Sequence, residues 1–183
     1  MPTDQLQITC RDKAFYALGT CRLFERRMAK LEKRRAAITY LGIVIPLLVG
    51  GIVLGLGQKW LPYLLVPAGL LGTLQICLSA WSLVARWDEK YAYAVTAVRA
   101  QTSLFNEWDR LAKRPPADID AKLQALEVED ARQEQADLTQ NLTPGEKRYA
   151  MHAALYYFGS ECRACRQKPL SMKPAKCDTC GNY

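Results

Sequence analysis

Between Ile38 and Ala85 the chain carries a single charged residue, Lys59, although charged residues make up 23% of the whole. Ile38 to Gly57 is twenty residues without a charge, and Trp60 to Ala85 is a second uncharged run of twenty-six. A helix rises 1.5 Å per residue, so twenty residues match a hydrocarbon core about 30 Å thick. Gly55, Gly57, Gln58 and Lys59 are the polar punctuation between the runs, and Trp60 and Tyr63 follow as interfacial aromatics do. Pro46 and Pro67 are tolerable within membrane helices. A chain of 183 residues is too short to cover two such helices in a soluble core. The pattern therefore predicts a transmembrane helical hairpin, 38–57 and 60–85, inserted into an otherwise soluble and charged chain.

Charge sets the expected topology. Arg26, Arg27, Lys30, Lys33, Arg34 and Arg35 crowd the approach to the first run, Lys59 is alone in the loop, and Arg86 and Lys90 follow the second run. The positive-inside rule then places both termini in the cytosol, and the six leading cations are candidates for lipid head-group contact. The net charge of +7 is concentrated there, which favours a membrane over nucleic acid as the basic partner.

Flanking segments read as helices. Asp4 to Ala37 has one glycine, Gly19, and repeats Cys10, Ala14, Ala17, Cys21, Phe24, Met28 and Leu31 at spacings of four and three. That seam suits a coiled-coil contact or one face of an intramolecular bundle, and the spacing leaves both open. Arg86 to Arg114 continues the second run with Trp87, Tyr91, Ala94, Val98, Gln101, Phe105 and Trp108 in a similar pattern, ended by Pro115-Pro116. Asp118 can cap a helix over 119–138 whose stripe, Ile119, Leu123 and Leu126, is narrow. Thr143-Pro144-Gly145-Glu146 is a capping box with proline at the first helical position, so a helix to about Phe158 is expected. Asn141-Leu142-Thr143 fits a glycosylation acceptor by chance only, on a cytosolic segment.

Four of the seven cysteines form two pairs, Cys162-Arg163-Ala164-Cys165 and Cys177-Asp178-Thr179-Cys180, with eleven residues between them. Two residues between cysteines make a tight knuckle that aims both thiolates at one ion, and Gly181 suits the turn behind the second. Two knuckles complete a tetrahedral four-thiolate site, so Cys162, Cys165, Cys177 and Cys180 are expected to hold a structural zinc ion. A thioredoxin-like pair is disfavoured by the second pair and the absence of a βαβ pattern; an iron–sulfur cluster is the alternative metal group. The odd cysteine count and the polar, leaderless N-terminal stretch point to a reducing compartment. His152 is expected at the surface rather than as a ligand. Seven basic residues around the module, from Lys147 to Lys176, against Glu146, Glu161 and Asp178, form a patch that suits nucleic acid or acidic head groups, with a solvated face the favoured reading.

The second run carries one small and polar stripe, Ala68, Gly72, Gln75, Ser79 and Ser82. It suits a pore lining in an oligomer, or close packing against Gly51 and Gly55 of the first run. No nucleophile–base motif or phosphate loop is present, and four cysteines would saturate the metal, so an enzyme is not expected.

The paired cysteines behind a two-helix hairpin and a basic leading helix resemble the bacterial mobilome CxxCx(11)CxxC proteins, with the spacing match covering Cys162 to Cys180. The hairpin between long cytosolic helices, roughly Asp4 to Arg114, resembles the SLATT two-transmembrane effectors. These resemblances imply a multi-pass protein of the bacterial inner membrane that oligomerises and permeabilises that membrane when a sensor protein encoded nearby detects infection. The alternative is a membrane-tethered adaptor whose zinc module binds a protein or nucleic acid. The expected fold class is an all-α membrane protein: a basic helix (1–37), the hairpin (38–85), cytosolic helices (86–142), and a C-terminal helix with the zinc-knuckle module (143–183).

Overall fold

The computed structural model describes residues 3–56, 59, 61–116 and 119–183. Gly57, Gln58 and Trp60 of the expected loop and the expected cap Asp118 lie outside the described residues. Among those described there are five α-helices and no strand: α1 Thr3–Leu56, α2 Leu61–Val84, α3 Trp87–Lys113, α4 Ile119–Leu138 and α5 Pro144–Phe158. The leading helix runs straight into the first apolar run, with Pro46 inside it. Between α2 and α3 the helix is interrupted instead of continuing, because Arg86 adopts a left-handed conformation (φ 54°) and then pairs with Glu89. Contacts divide the chain into two units, Met1–Arg27 with Tyr93–Tyr183, and Met28–Ala92.

The second unit contains two helical stretches long and apolar enough to cross a membrane, and neither apolar stretch is buried. Among described residues 32–93 none is buried; Leu54 is 89% and Val84 75% exposed. The half-buried positions of α2 are Leu64, Ala68, Gly72, Gln75, Leu78, Ser79 and Ser82. On α1 they include Ile38, Gly42, Ile45, Val49 and Ile52, at heptad spacing. The polar stripe thus belongs to the half-buried side of α2. A Cβ built on Gly42 would lie 2.7 Å from the Gln75 amide nitrogen, so Gly42 is the glycine that Gln75 meets. Gly51 and Gly55 are exposed with nothing described within 4 Å, which corrects the expected pairing. At the other end of the hairpin Arg35 bonds Asp88 at 2.7 Å and overlies Tyr91, while Arg34 overlies Trp87. These two arginines and two aromatics therefore satisfy one another.

In the first unit the α1 seam is consumed within the chain. Leu6, Cys10, Ala14 and Ala17 pack with Leu104, Trp108 and Leu111 of α3, and Ile119, Leu123 and Leu126 of α4 lean on this core. The bundle alternative left open by the spacing is the one adopted. The buried face of α3 is Ala94, Ala97, Gln101, Leu104, Trp108 and Leu111. Val98 and Phe105 flank it, Phe105 turning to Tyr157 and Phe158 of α5. Gln101 is the polar member because its amide donates to Asp137 of α4 at 2.7 Å. Tyr93 and Gln133 donate to the same carboxylate, and burial raises the Asp137 pKa against the effect of those donors. Gly19 lets α5 approach α1, since a Cβ there would stand 2.8 Å from the Ala150 carbonyl oxygen.

The capping box forms at the start of α5. Thr143 Oγ1 accepts from the Glu146 N–H, and Glu146 accepts from the Thr143 N–H, with Gly159 closing the helix in the left-handed conformation. Glu146 is also gripped by Arg27, Nε to Oε1 at 2.5 Å and Nη2 to Oε2 at 2.7 Å. Arg27 donates further to the Gln140 and Asn141 carbonyls. Burial works against the Glu146 charge, but Arg27 and the cap overcome it and hold its pKa at about 2.

Candidate metal centre

Each cysteine pair is shaped by its own backbone. The Arg166 N–H donates to the Cys162 carbonyl and the Gly181 N–H to the Cys177 carbonyl, at 2.7 and 2.8 Å, so both pairs turn in the same way. Arg166 is left-handed behind the first pair (φ 56°), as is Asn182 behind the second (φ 53°). Gly181 itself is needed for close approach: a Cβ there would collide with the Ala175 carbonyl. That carbonyl accepts from both Cys177 and Asn182.

The four sulfurs lie within 4.8 Å of one another. Cys165 and Cys180 Sγ are 3.8 Å apart. Four sulfurs each 2.3 Å from a central ion have tetrahedral edges of about 3.8 Å. The Cys177 thiol is lowered to about 7 by the backbone N–H groups of Cys180 and Thr179, the latter 3.4 Å from its sulfur. Burial first, then the neighbouring sulfurs, pushes Cys180 upward. A cation among them favours all four thiolates at once, so this donor set fits a bound metal ion. Cys10, Cys21 and Cys77 lie outside the cluster.

The two inner cysteines, Cys162 and Cys180, are each 2% exposed and pack with Leu155 of α5 and Phe15 of α1. His152 is not at the surface as expected: it is 2% exposed, with Nδ1 2.7 Å from the Cys180 carbonyl and Nε2 2.8 Å from the Ser171 carbonyl. It contributes no metal ligand; it holds the second knuckle and the loop between the pairs onto α5. Tyr183 meets His152 and Tyr149 edge to face, and its hydroxyl donates to the Met172 carbonyl at 2.8 Å. Arg26 lies over the Tyr149 ring at 4.3 Å. Neither His152 nor Tyr183 was visible as a functional residue from spacing, because their partners are loop carbonyls, which no side-chain pattern encodes.

Of the six expected head-group cations, Arg26 and Arg27 are thus engaged inside the first unit and Arg34 and Arg35 on the hairpin; Lys30 and Lys33 are exposed.

The family model described as the mobilome CxxCx(11)CxxC protein matches residues 7–183. The chain belongs to this family. This mobilome CxxCx(11)CxxC protein combines a helical unit, with the cysteine cluster docked on α5, and a unit that contains the apolar hairpin. Comparison with curated proteins and with solved structures finds no match to either.

Proposed function

We propose that the chain is a two-span protein of the bacterial inner membrane, with both termini in the cytosol, acting as a non-enzymatic effector of an antiphage or mobile-element system. The observation that supports it is the hairpin: apolar helices with no buried residue among those described, in a chain whose other unit builds an ordinary core. Leaving so much contiguous apolar surface in water is unfavourable by about 25 cal/mol per Å², and hydrocarbon removes that cost. The four cysteines would hold zinc, which supplies folding free energy to a module with almost no core of its own. The effector role itself draws on the SLATT-like arrangement of a hairpin between cytosolic helices.

In this reading copies assemble within the bilayer rather than through the α1 seam, which is filled by α3. The exposed face bearing Gly51 and Gly55 has the small-residue spacing that lets helices approach closely. Assembly under the control of a sensor encoded nearby would then open or thin the membrane. A second reading, a tethered adaptor, is supported by Gln75, whose amide packs against Gly42 within the hairpin. Dye and ion leakage from proteoliposomes discriminates the two. The effector reading expects leakage with the activating partner present; assembled protein that never permeabilises vesicles or dissipates a potential under those conditions leaves the adaptor.

A further inference from the structure

The eleven residues between the cysteine pairs, 166–176, include Arg166, Lys168, Lys173 and Lys176 and no acidic residue. The loop is irregular but held. The Ser171 carbonyl faces His152, the Met172 carbonyl accepts from Tyr183, and the Ala175 carbonyl takes two N–H groups at the exit. With these acceptors committed inward, the apolar side chains at the apex stand in solvent: Leu170 is 86% and Met172 38% exposed. Among the described residues Arg166, Lys173 and Lys176 form no ion pair, and the Lys168 ammonium lies near Gly159 at the end of α5.

A braced loop thus presents an apolar tip among cations. Nucleic acid would use the cations, but the loop has no aromatic ring on which a base could stack. A lipid surface uses both features: the tip enters the acyl boundary while the lysines meet head-group phosphates. We propose that loop 166–176 docks onto an anionic lipid surface, bringing the metal module to the membrane. This rests on the membrane reading of the hairpin.

The full chain is reconstituted in nanodiscs of phosphatidylcholine alone, or with a third phosphatidylglycerol, and deuterium uptake is followed in peptides covering 168–174. Uptake should slow severalfold in the anionic discs only. Lys173→Gln and Lys176→Gln should each remove most of that protection, since one lysine at an anionic surface is worth about fivefold, and Leu170→Ser should also weaken it, with metal content unchanged. Equal uptake in both discs, or protection indifferent to all three substitutions, overturns the proposal. So does protection that appears only on adding a DNA or RNA oligonucleotide. A chain retained by neither disc refutes the hairpin reading together with this one, whereas a retained chain without lipid-dependent protection refutes the loop alone.

Discussion

Replacing Arg27 with Met keeps most of the side-chain volume and removes the guanidinium that clamps the start of α5. Two bonds to Glu146 and two to the carbonyls of Gln140 and Asn141 are lost together. The pair is only about a fifth exposed, at 20% and 23%, so breaking it leaves a poorly hydrated carboxylate. Fully buried pairs cost about 3–5 kcal/mol when one partner is removed; partial solvation brings the expectation here to about 2–3 kcal/mol. The titration is of the same size: a carboxyl moved from 4.5 to about 2, net of the opposing effect of burial, corresponds to about 3 kcal/mol. Because the folded value is the lower one, this contribution is complete above pH 4.5 and disappears as pH falls towards 2. Amide exchange across α5 in the detergent-solubilised chain reads the effect directly. Arg27→Met should accelerate it by roughly 30- to 150-fold at pH 7, and Glu146→Gln should abolish the loss of protection between pH 4.5 and 2. Unchanged α5 exchange in Arg27→Met would refute the reasoning, since it would mean the clamp contributes nothing to holding this helix.

Cys177→Ser should unfold the C-terminal module while leaving the hairpin inserted, because sites of this kind contribute on the order of 10 kcal/mol. Elemental analysis should fall from one zinc per chain to none, and serine at Cys10, Cys21 or Cys77 should leave the content unchanged. His152→Phe keeps a ring but deserts the buried Cys180 carbonyl, at about 1–3 kcal/mol, and the half-buried Ser171 carbonyl; a chelator should strip the metal roughly 10- to 100-fold faster. Gly42→Leu should weaken the hairpin more than Gly51→Leu, since only Gly42 has a side chain against it, and thermal unfolding in detergent ranks the two.

What the sequence disclosed was what is written locally. The uncharged runs, the capping box at Thr143 and Glu146, and the paired cysteines each depend on residues a few positions apart. The seam on α1 was legible, but not its partner face. Three-four spacing on α3 runs through Val98 and Phe105, whereas the small residues Cys10, Ala14 and Ala17 admit the stripe through Ala97, Leu104 and Leu111. The basic cluster before the hairpin reads in sequence as one patch. Helical geometry distributes it around the axis, so that Arg27 reaches Glu146, 119 positions away, and Arg26 reaches Tyr149. The burial of His152 is hidden from the sequence for the same reason: its environment is made by a loop nearly twenty residues later in the chain, and a lone polar residue on a helix carries no sign of it.

The central claim, a hairpin crossing the membrane with both ends in the cytosol, is tested most directly by inserting alkaline phosphatase at Lys59. The account predicts an enzyme active outside the cytosol at Lys59, and inactive when fused after Tyr183. An inactive insertion at Lys59 in a stable fusion, or an active fusion at Tyr183, would contradict it.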